Sequence, residues 1–363
     1  MISSTLVQEG FEKIMDRHSL IRRKILILSV LLILSVLMTI GIGAVSIPVA
    51  QIPAILFRMF VSGASGTYPE YYEVVLLSIR IPRVILACFV GAALSLSGAA
   101  LQGLFRNPLA DPGLIGVSSG AAFGASLMIV SGHMLFQYLP AIAYPYLLSF
   151  AAFAGGFITT LIIYRIGHVN GRTYVATMLL AGIAINAIAM SLTGVLIYLS
   201  DDQQLRDLTF WMMGSLGRNT WSTILPAIPL FIVAMIVLLS LTKQLNLFVL
   251  GESSAAHLGL NTEKIKRKVL LASSLAVGTA VSLTGIIAFI GLVVPHLTRM
   301  LLGPDHRYLI PGAMIMGAGI LVIADAIARV IVAPAELPIG IITSCLGGPF
   351  CLYLLIRKRG MEV

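Results

Sequence analysis

The stretch Arg106–Gly120 reads RNPLADPGLIGVSSG, and it sets a charge, two prolines, an aspartate and spaced glycines between two long apolar runs. A run of about 20 apolar residues is enough to cross the hydrocarbon of a bilayer as a helix. The break therefore reads as a turn between two spans. Each proline disfavours helix at the residue before it, so Asn107 and Asp111 are expected to begin turns that stop one helix and cap the next. Behind the turn, Gly116, Gly120 and Gly124 form a doubled GxxxG, a spacing that lets helix backbones approach closely in lipid.

The rest of the chain supports that reading. Its 363 residues are 58% hydrophobic and 11% charged, with a mean hydropathy of +0.99. A soluble protein would need periodic polar residues for a solvated face, and the apolar runs lack them. The fold class is all-α, a polytopic integral membrane protein. The net charge of +9 does not indicate a nucleic-acid partner, because the basic residues sit in short clusters between apolar runs and at the two ends. Membrane lipid is the expected surround. Cys88, Cys345 and Cys351 lie inside apolar segments without the spacing of a metal site or disulfide framework, and read as small core residues. Ile25–Ile42 follows a polar head too long for a signal-peptide n-region and reads as an uncleaved first span.

About ten spans are expected, near 25–43, 84–104, 113–131, 145–166, 174–199, 223–242, 269–290, 292–302, 308–330 and 338–357. They divide the chain into a cytoplasmic segment at 1–24, a transmembrane domain at 25–357 with a cytoplasmic loop at 243–268, and a tail at 358–363. Both ends are basic, so the positive-inside rule places both in the cytoplasm, and roughly three quarters of all Lys and Arg then fall on that side. On the outer side, Leu205–Trp221 reads either as an interfacial amphipathic segment anchored by Trp211 and Trp221 or as a plain loop with two aromatics. ALSLSG at Ala93–Gly98 echoes AVSLTG at Ala280–Gly285. Five spans separate the copies, so the echo implies an inverted internal repeat.

The chain carries no GxxxxGK[ST], HExxH or CxxC and no nucleophile–base pair, so no catalytic residue is assigned and energy must come from a partner or an ion gradient. In the 243–268 loop a short helix is expected from Gly251, with Glu252 in its first turn and Gly259 as C-cap. Ala255 and Leu258 would share a small apolar face with Gly251, suited to a partner's groove or to a simple connector. At the outer face the spans gather Arg80, Arg83 and Arg329. These read as docking charges, as snorkelling side chains, or, for Arg329, as a partner of Asp325 one turn earlier. His257, His296 and His306 have no metal-ligand partner at suitable spacing, and no metal site is expected.

The string QGLFRNPLADPGLIGVSSGAA (Gln102–Ala122) closely resembles the permease subunits of ABC importers for iron chelates and vitamin B12. In order, RIPR (Arg80–Arg83), LLAG (Leu179–Gly182), LGESSAAHLG (Leu250–Gly259), FIGLVVPHLTR (Phe289–Arg299), DHR (Asp305–Arg307) and ELPIG (Glu336–Gly340) match as well. The resemblance implies a ten-span subunit of the bacterial inner membrane and a homodimer with the pathway between the copies. It further implies two cytoplasmic ATPase subunits that bind ATP and Mg, no cofactor on this chain itself, and a periplasmic or extracellular substrate-binding protein. It assigns Gly251, Glu252, Ala255, Leu258 and Gly259 to ATPase docking, Arg80, Arg83 and Arg329 to the binding protein's acids, and Val175, Ala176 and Thr177 to the cytoplasmic gate. Where the family would place small hydroxyl residues at the gate, this chain has only Thr177. The expected cargo is a ferric siderophore or haem, with vitamin B12 the alternative. An ion-driven secondary transporter is the competing class, against which stands the lack of acids in the span interiors apart from Asp325 near a helix end.

Overall fold

The structure, a computed structural model, describes residues 2–43, 47–58, 68–132, 134, 138 and 140–359. Its helices are α1 (Ile2–Gly41), α2 (Ile52–Arg58), α3 (Glu70–Phe105), α4 (Val117–Ser131), α5 (Tyr144–Gly167), α6 (Val175–Tyr198), α7 (Asp202–Met213), α8 (Trp221–Ile224) and α9 (Ile228–Ser240). They continue as α10 (Thr242–Val249), α11 (Glu252–His257), α12 (Thr262–Thr284), α13 (Ile290–Leu302), α14 (His306–Val330) and α15 (Ile339–Arg359). A two-stranded hairpin, β1 (His168–Val169) with β2 (Arg172–Thr173), joins α5 to α6. Among the described residues, five helices are long and apolar enough to cross a membrane, and α9 with α10, bent by 48°, can form a sixth span. The shorter apolar α4, α13 and α15, together with α12, occupy the remaining expected spans.

The centre is α3, buried along almost its whole length from Pro82 to Phe105. Lipid tails are as apolar as leucine, so helices in a bilayer associate through packing rather than through exclusion from water. Small residues make that packing possible here. A Cβ on Gly98 would run into the Gly291 carbonyl of α13, and one on Gly91 into the Gly317 carbonyl of α14. On the α4–α5 seam, a Cβ on Gly120 would strike Thr159 and the Gly155 carbonyl, and one on Gly124 the Ala151 carbonyl. Gly116 meets the same seam from just outside the helix, since a Cβ there would strike Ile163 Cδ1 and Thr159 Cγ2 of α5. It precedes α4 with φ +84°, a left-handed turn position that glycine adopts without strain.

The opening stretch behaves as its residues dictate. Asn107 Oδ1 accepts from the Leu109 N–H at 2.9 Å and Asp111 Oδ1 from the Gly113 N–H at 2.7 Å, and a short 3-10 turn, Pro112–Ile115, leads into α4. At the other end of α3, Pro82 has no N–H to give. Ahead of it the helix widens into a π segment, Val75–Arg80, in which the Ile81 N–H bonds the Leu76 carbonyl. In that register the Leu77 carbonyl would await Pro82. The Trp221 Nε1–H supplies the missing donor at 2.8 Å.

The two tryptophans of Leu205–Trp221 are thus engaged within the protein rather than free to anchor it at an interface. Asp202–Met213 is a helix, started by a capping box between Asp201 and Gln204, but Trp211 is buried and Trp221 points at α3. The helices sort into two ends. Arg83, at the start of the buried part of α3, lies beside Gly217, and Ser215 N–H bonds Thr284 O at the end of α12, so α3 and α12 run in opposite directions. The echoed motifs sit differently on them. Ala93–Gly98 lies within α3, whereas Ala280–Gly285 ends α12 at a left-handed Gly285.

Gly98→Ala is expected to destabilise the protein by at least ~1–3 kcal/mol, because overpacking here pushes on backbone. Gly319→Ala, whose new Cβ would meet only Leu32 Cδ1 at 3.9 Å, should stay within about 0.5 kcal/mol. Thermal unfolding of both variants in detergent checks the contrast.

Candidate functional site

Two clusters of charged residues occupy the opposite ends of the helix bundle. At one end, Arg83 Nε donates to Asp325 at 3.0 and 3.1 Å and Nη1 to both oxygens of Glu336 at 2.8 Å. Arg329 closes on the same Asp325 at 3.1 Å and donates to the carbonyls of Ile42 at 2.9 Å and Thr39 at 3.2 Å. Arg80 donates to the carbonyls of Ile40 at 2.9 Å and Gly41 at 2.8 Å. The last carbonyls of a helix have no partner within it and carry the negative end of its dipole. Arg80 and Arg329 cap α1 from two different helices.

This corrects the reading of Arg80, Arg83 and Arg329 as free rim charges. Their exposures are 4%, 5% and 5%. They are neither snorkelling nor presented to solvent; each is held by carbonyls or carboxylates, because a guanidinium out of water must be paired. The one solvated member of the cluster is Glu336, whose side chain is 47% exposed. Sequence reading paired Asp325 with Arg329 from their i,i+4 spacing, but missed Arg83 and Glu336 as partners because they lie 242 and 253 residues away from Asp325 and Arg83 respectively.

At the other end, α11 takes the expected form. Gly251 precedes it with φ +108°, Glu252 opens it, and Gly259 at φ +86° closes it. The Leu260 N–H bonds Ala255 O and the Gly259 N–H bonds Ala256 O, the paired bonds of a Schellman cap. The expected apolar face is corrected: Ala255 is fully buried, while Leu258 is 61% exposed. The side turned to solvent carries Ala256, His257 and Leu258. Half-buried Val175 and exposed Ala176 and Thr177 form the first turn of α6 at this same end.

Between α11 and α6 lies Lys266, 2% exposed. Its Nζ donates to Thr173 O at 2.7 Å, to Glu263 Oε1 at 3.0 Å, and to Glu252 Oε1. Glu263 Oε2 in turn accepts from the Thr173 N–H at 2.9 Å and hydroxyl at 2.7 Å. Burial pushes the Glu263 carboxyl up, but Thr173 and Lys266 outweigh it and hold it below the usual 4.5. With the folded value depressed, the stabilisation is complete above pH 4.5 and is lost as pH falls through the folded value. In the turn ahead of α4, burial pushes the Asp111 carboxyl above its ordinary value, the Gly113 N–H pulling the other way. His306 bonds Asn246 Oδ1 through both its backbone N–H and its ring, and Asn246 reaches Asp305 at 2.7 Å. Among the described residues, no group of three or more His, Cys, Asp and Glu comes together as a metal site.

Asp325→Ala removes the carboxylate shared by two buried guanidinium groups and should cost ~3–5 kcal/mol. Arg307→Ala removes an ion pair to Asp305 from a side chain that is 53% exposed, and should cost no more than about 1 kcal/mol. Unfolding midpoints of the two variants, measured side by side, check the difference.

Known proteins resemble this chain in sequence and in fold. The chain is 51% identical over 287 residues to the hemin transport system permease protein HmuU of Yersinia pestis, covering 78% of this chain and 83% of that protein. It is 41% identical over 287 residues to the cobalamin import system permease protein BtuC of Halobacterium salinarum, covering 79% and 74%. Among solved structures it matches one described as an inward-facing metal-chelate type ABC transporter, at 32% identity and a TM-score of 0.79, over 93% of this chain and 99% of that one. Residues 31–357 match the FecCD transport family, and with helices, turn motifs and both charged ends in place, the chain belongs to that family of membrane permeases.

Proposed function

We propose that this chain is the permease subunit of an ATP-driven importer that carries haem or a related iron chelate to the cytoplasm by alternating access. The observation that carries the reading is the 51% identity to a hemin transport permease over most of both chains. Cobalamin is the second reading, favoured by the 41% identity to a cobalamin permease. The sequence has no phosphate-binding loop, so hydrolysis falls to a partner ATPase holding ATP and Mg. The solvent-facing side of α11, with Leu258 at its end, is the surface offered to that partner, and the basic termini put it in the cytoplasm.

A second copy of the chain completes the pathway. In their most apolar stretches α5 and α6 are only 22% and 17% buried within one chain, which leaves apolar faces for a partner copy and for lipid. The first turn of α6, Val175–Thr177, serves as the inner gate, a largely apolar constriction that excludes water and ions when closed. An extracytoplasmic binding protein docks at the other end. Since Arg80, Arg83 and Arg329 are already engaged, an acidic side chain of that protein gains access to Arg83 by displacing the solvated Glu336. An ion-driven mechanism fits less well, because buried Asp325 is locked between two arginines rather than placed to carry a proton.

The test is uptake into liposomes holding the complex of this chain, its ATPase and the loaded binding protein. Hemin uptake should require ATP, persist in the presence of proton and sodium ionophores, and be competed poorly by cobalamin. Uptake by the chain alone, abolished when a proton gradient is collapsed, would contradict the proposal. Efficient competition by cobalamin would shift the cargo to the second reading.

A further inference from the structure

Lys266 sits where three separate parts of the chain meet. An ammonium group has three N–H donors, and here each goes to a different element: the Glu252 carboxylate at the start of α11, the Glu263 carboxylate in the first turn of α12, and the Thr173 carbonyl at the end of the hairpin before α6. None is left for water, and a side chain 2% exposed has little access to it. A buried charge is stable only while its partners stay in place. Moving any one of the three therefore forces the other two to follow or leaves a desolvated charge unpaired.

Thr173 is the receiving end. Lys266 holds its carbonyl, while Glu263 holds its N–H and hydroxyl. The adjacent Tyr174 N–H bonds Gly167 O at 2.9 Å, closing the hairpin at its base. Thr173 stands two residues ahead of Val175, the first residue of α6. Its peptide cannot shift without turning the start of α6, where Ala176 and Thr177 are exposed. Glu252 is the sending end, with its side chain 47% exposed on α11.

We infer that Lys266 is a positioning residue that transmits displacement of the Glu252–His257 helix to the Val175–Thr177 turn, through a single ammonium group bound to both. The inference rests on the reading of α11 as the ATPase contact and of Val175–Thr177 as the gate. It adds the physical link between them. A group needed only to fill space could be replaced by an apolar side chain of like length without affecting the gate; a three-way donor could not.

The experiment uses the full chain in complex with its ATPase in lipid nanodiscs, with Cys88, Cys345 and Cys351 changed to Ala and Thr177→Cys as reporter. Labelling of Thr177→Cys by a water-soluble maleimide is compared without nucleotide and in the ATP-locked state, alongside co-purification of the ATPase and its hydrolysis rate. Lys266→Met should keep the ATPase bound and hydrolysing, while the nucleotide-dependent change in labelling falls ~3- to 10-fold. Lys266→Arg, which retains charge and donors, should restore at least part of it. Glu263→Gln removes one carboxylate from the node at a less buried site, so it reports if Lys266→Met does not assemble, and should move the labelling in the same direction. A full nucleotide-dependent change in Lys266→Met, or in Glu263→Gln where Lys266→Met does not assemble, would overturn the inference. Leu258→Asp is expected instead to release the ATPase. If it does not, the docking reading fails on that measurement and the inference falls with it.

Discussion

The backbone-to-backbone approach of α3 to α13 and α14, at Gly98 against Gly291 and Gly91 against Gly317, is the contact on which the rest of the molecule depends. In lipid there is no aqueous penalty to drive helices together, so the attraction must come from closely fitted surfaces. Glycine at these positions lets main chains meet where any Cβ would hold them apart. Once α3 is fixed at the centre, both of its ends are fixed as well. Its beginning carries Arg80 and Arg83 into the cluster with Asp325, Arg329 and Glu336, and its end carries the Asn107–Asp111 turn.

The charges at the two ends meet the same constraint in different ways. Arg80 and Arg329 supply donors to the last carbonyls of α1, which tie the first helix to α3 and α14. Lys266 joins a surface helix to the start of α6. The first arrangement holds together helices that pack along their lengths. The second lies next to α6, whose most apolar stretch is mostly uncovered within one chain. Motion during transport is accordingly expected at the start of α6, which Lys266 ties to the surface helix, with the α3–α13–α14 unit as the frame.

Much of this was legible in the sequence, and the exceptions have a common cause. The turn around Asn107 and Asp111, the short α11 with its Gly259 cap, and the approximate span positions follow from local chemistry: proline geometry, side-chain caps and apolar run length. The direction a side chain takes at a helix end does not. Whether Arg83 faces water or Asp325 depends on a residue 242 positions away. Ala255 sits on a helix of six residues, too short for periodicity to reveal its buried side. Trp221 reads from sequence as an interfacial anchor, whereas the π segment of α3 leaves a carbonyl that its indole N–H satisfies. Lys266 is one of several basic residues in the 243–268 loop, and only its i,i+3 spacing from Glu263 sets it apart in the sequence.

The claim that a fixed α3–α13–α14 frame supports a moving α6 is tested most directly by pulsed EPR distances in the assembled transporter, with one labelled copy per complex. One spin-label pair joins exposed Ile79 on α3 to exposed Met300 on α13; a second joins Thr177 on α6 to Met300. Across the nucleotide cycle the first distance should stay constant while the second changes. A constant second distance with a shift in the first would contradict the account, because α3 would then be the moving part and its glycine contacts could not be what holds the protein together.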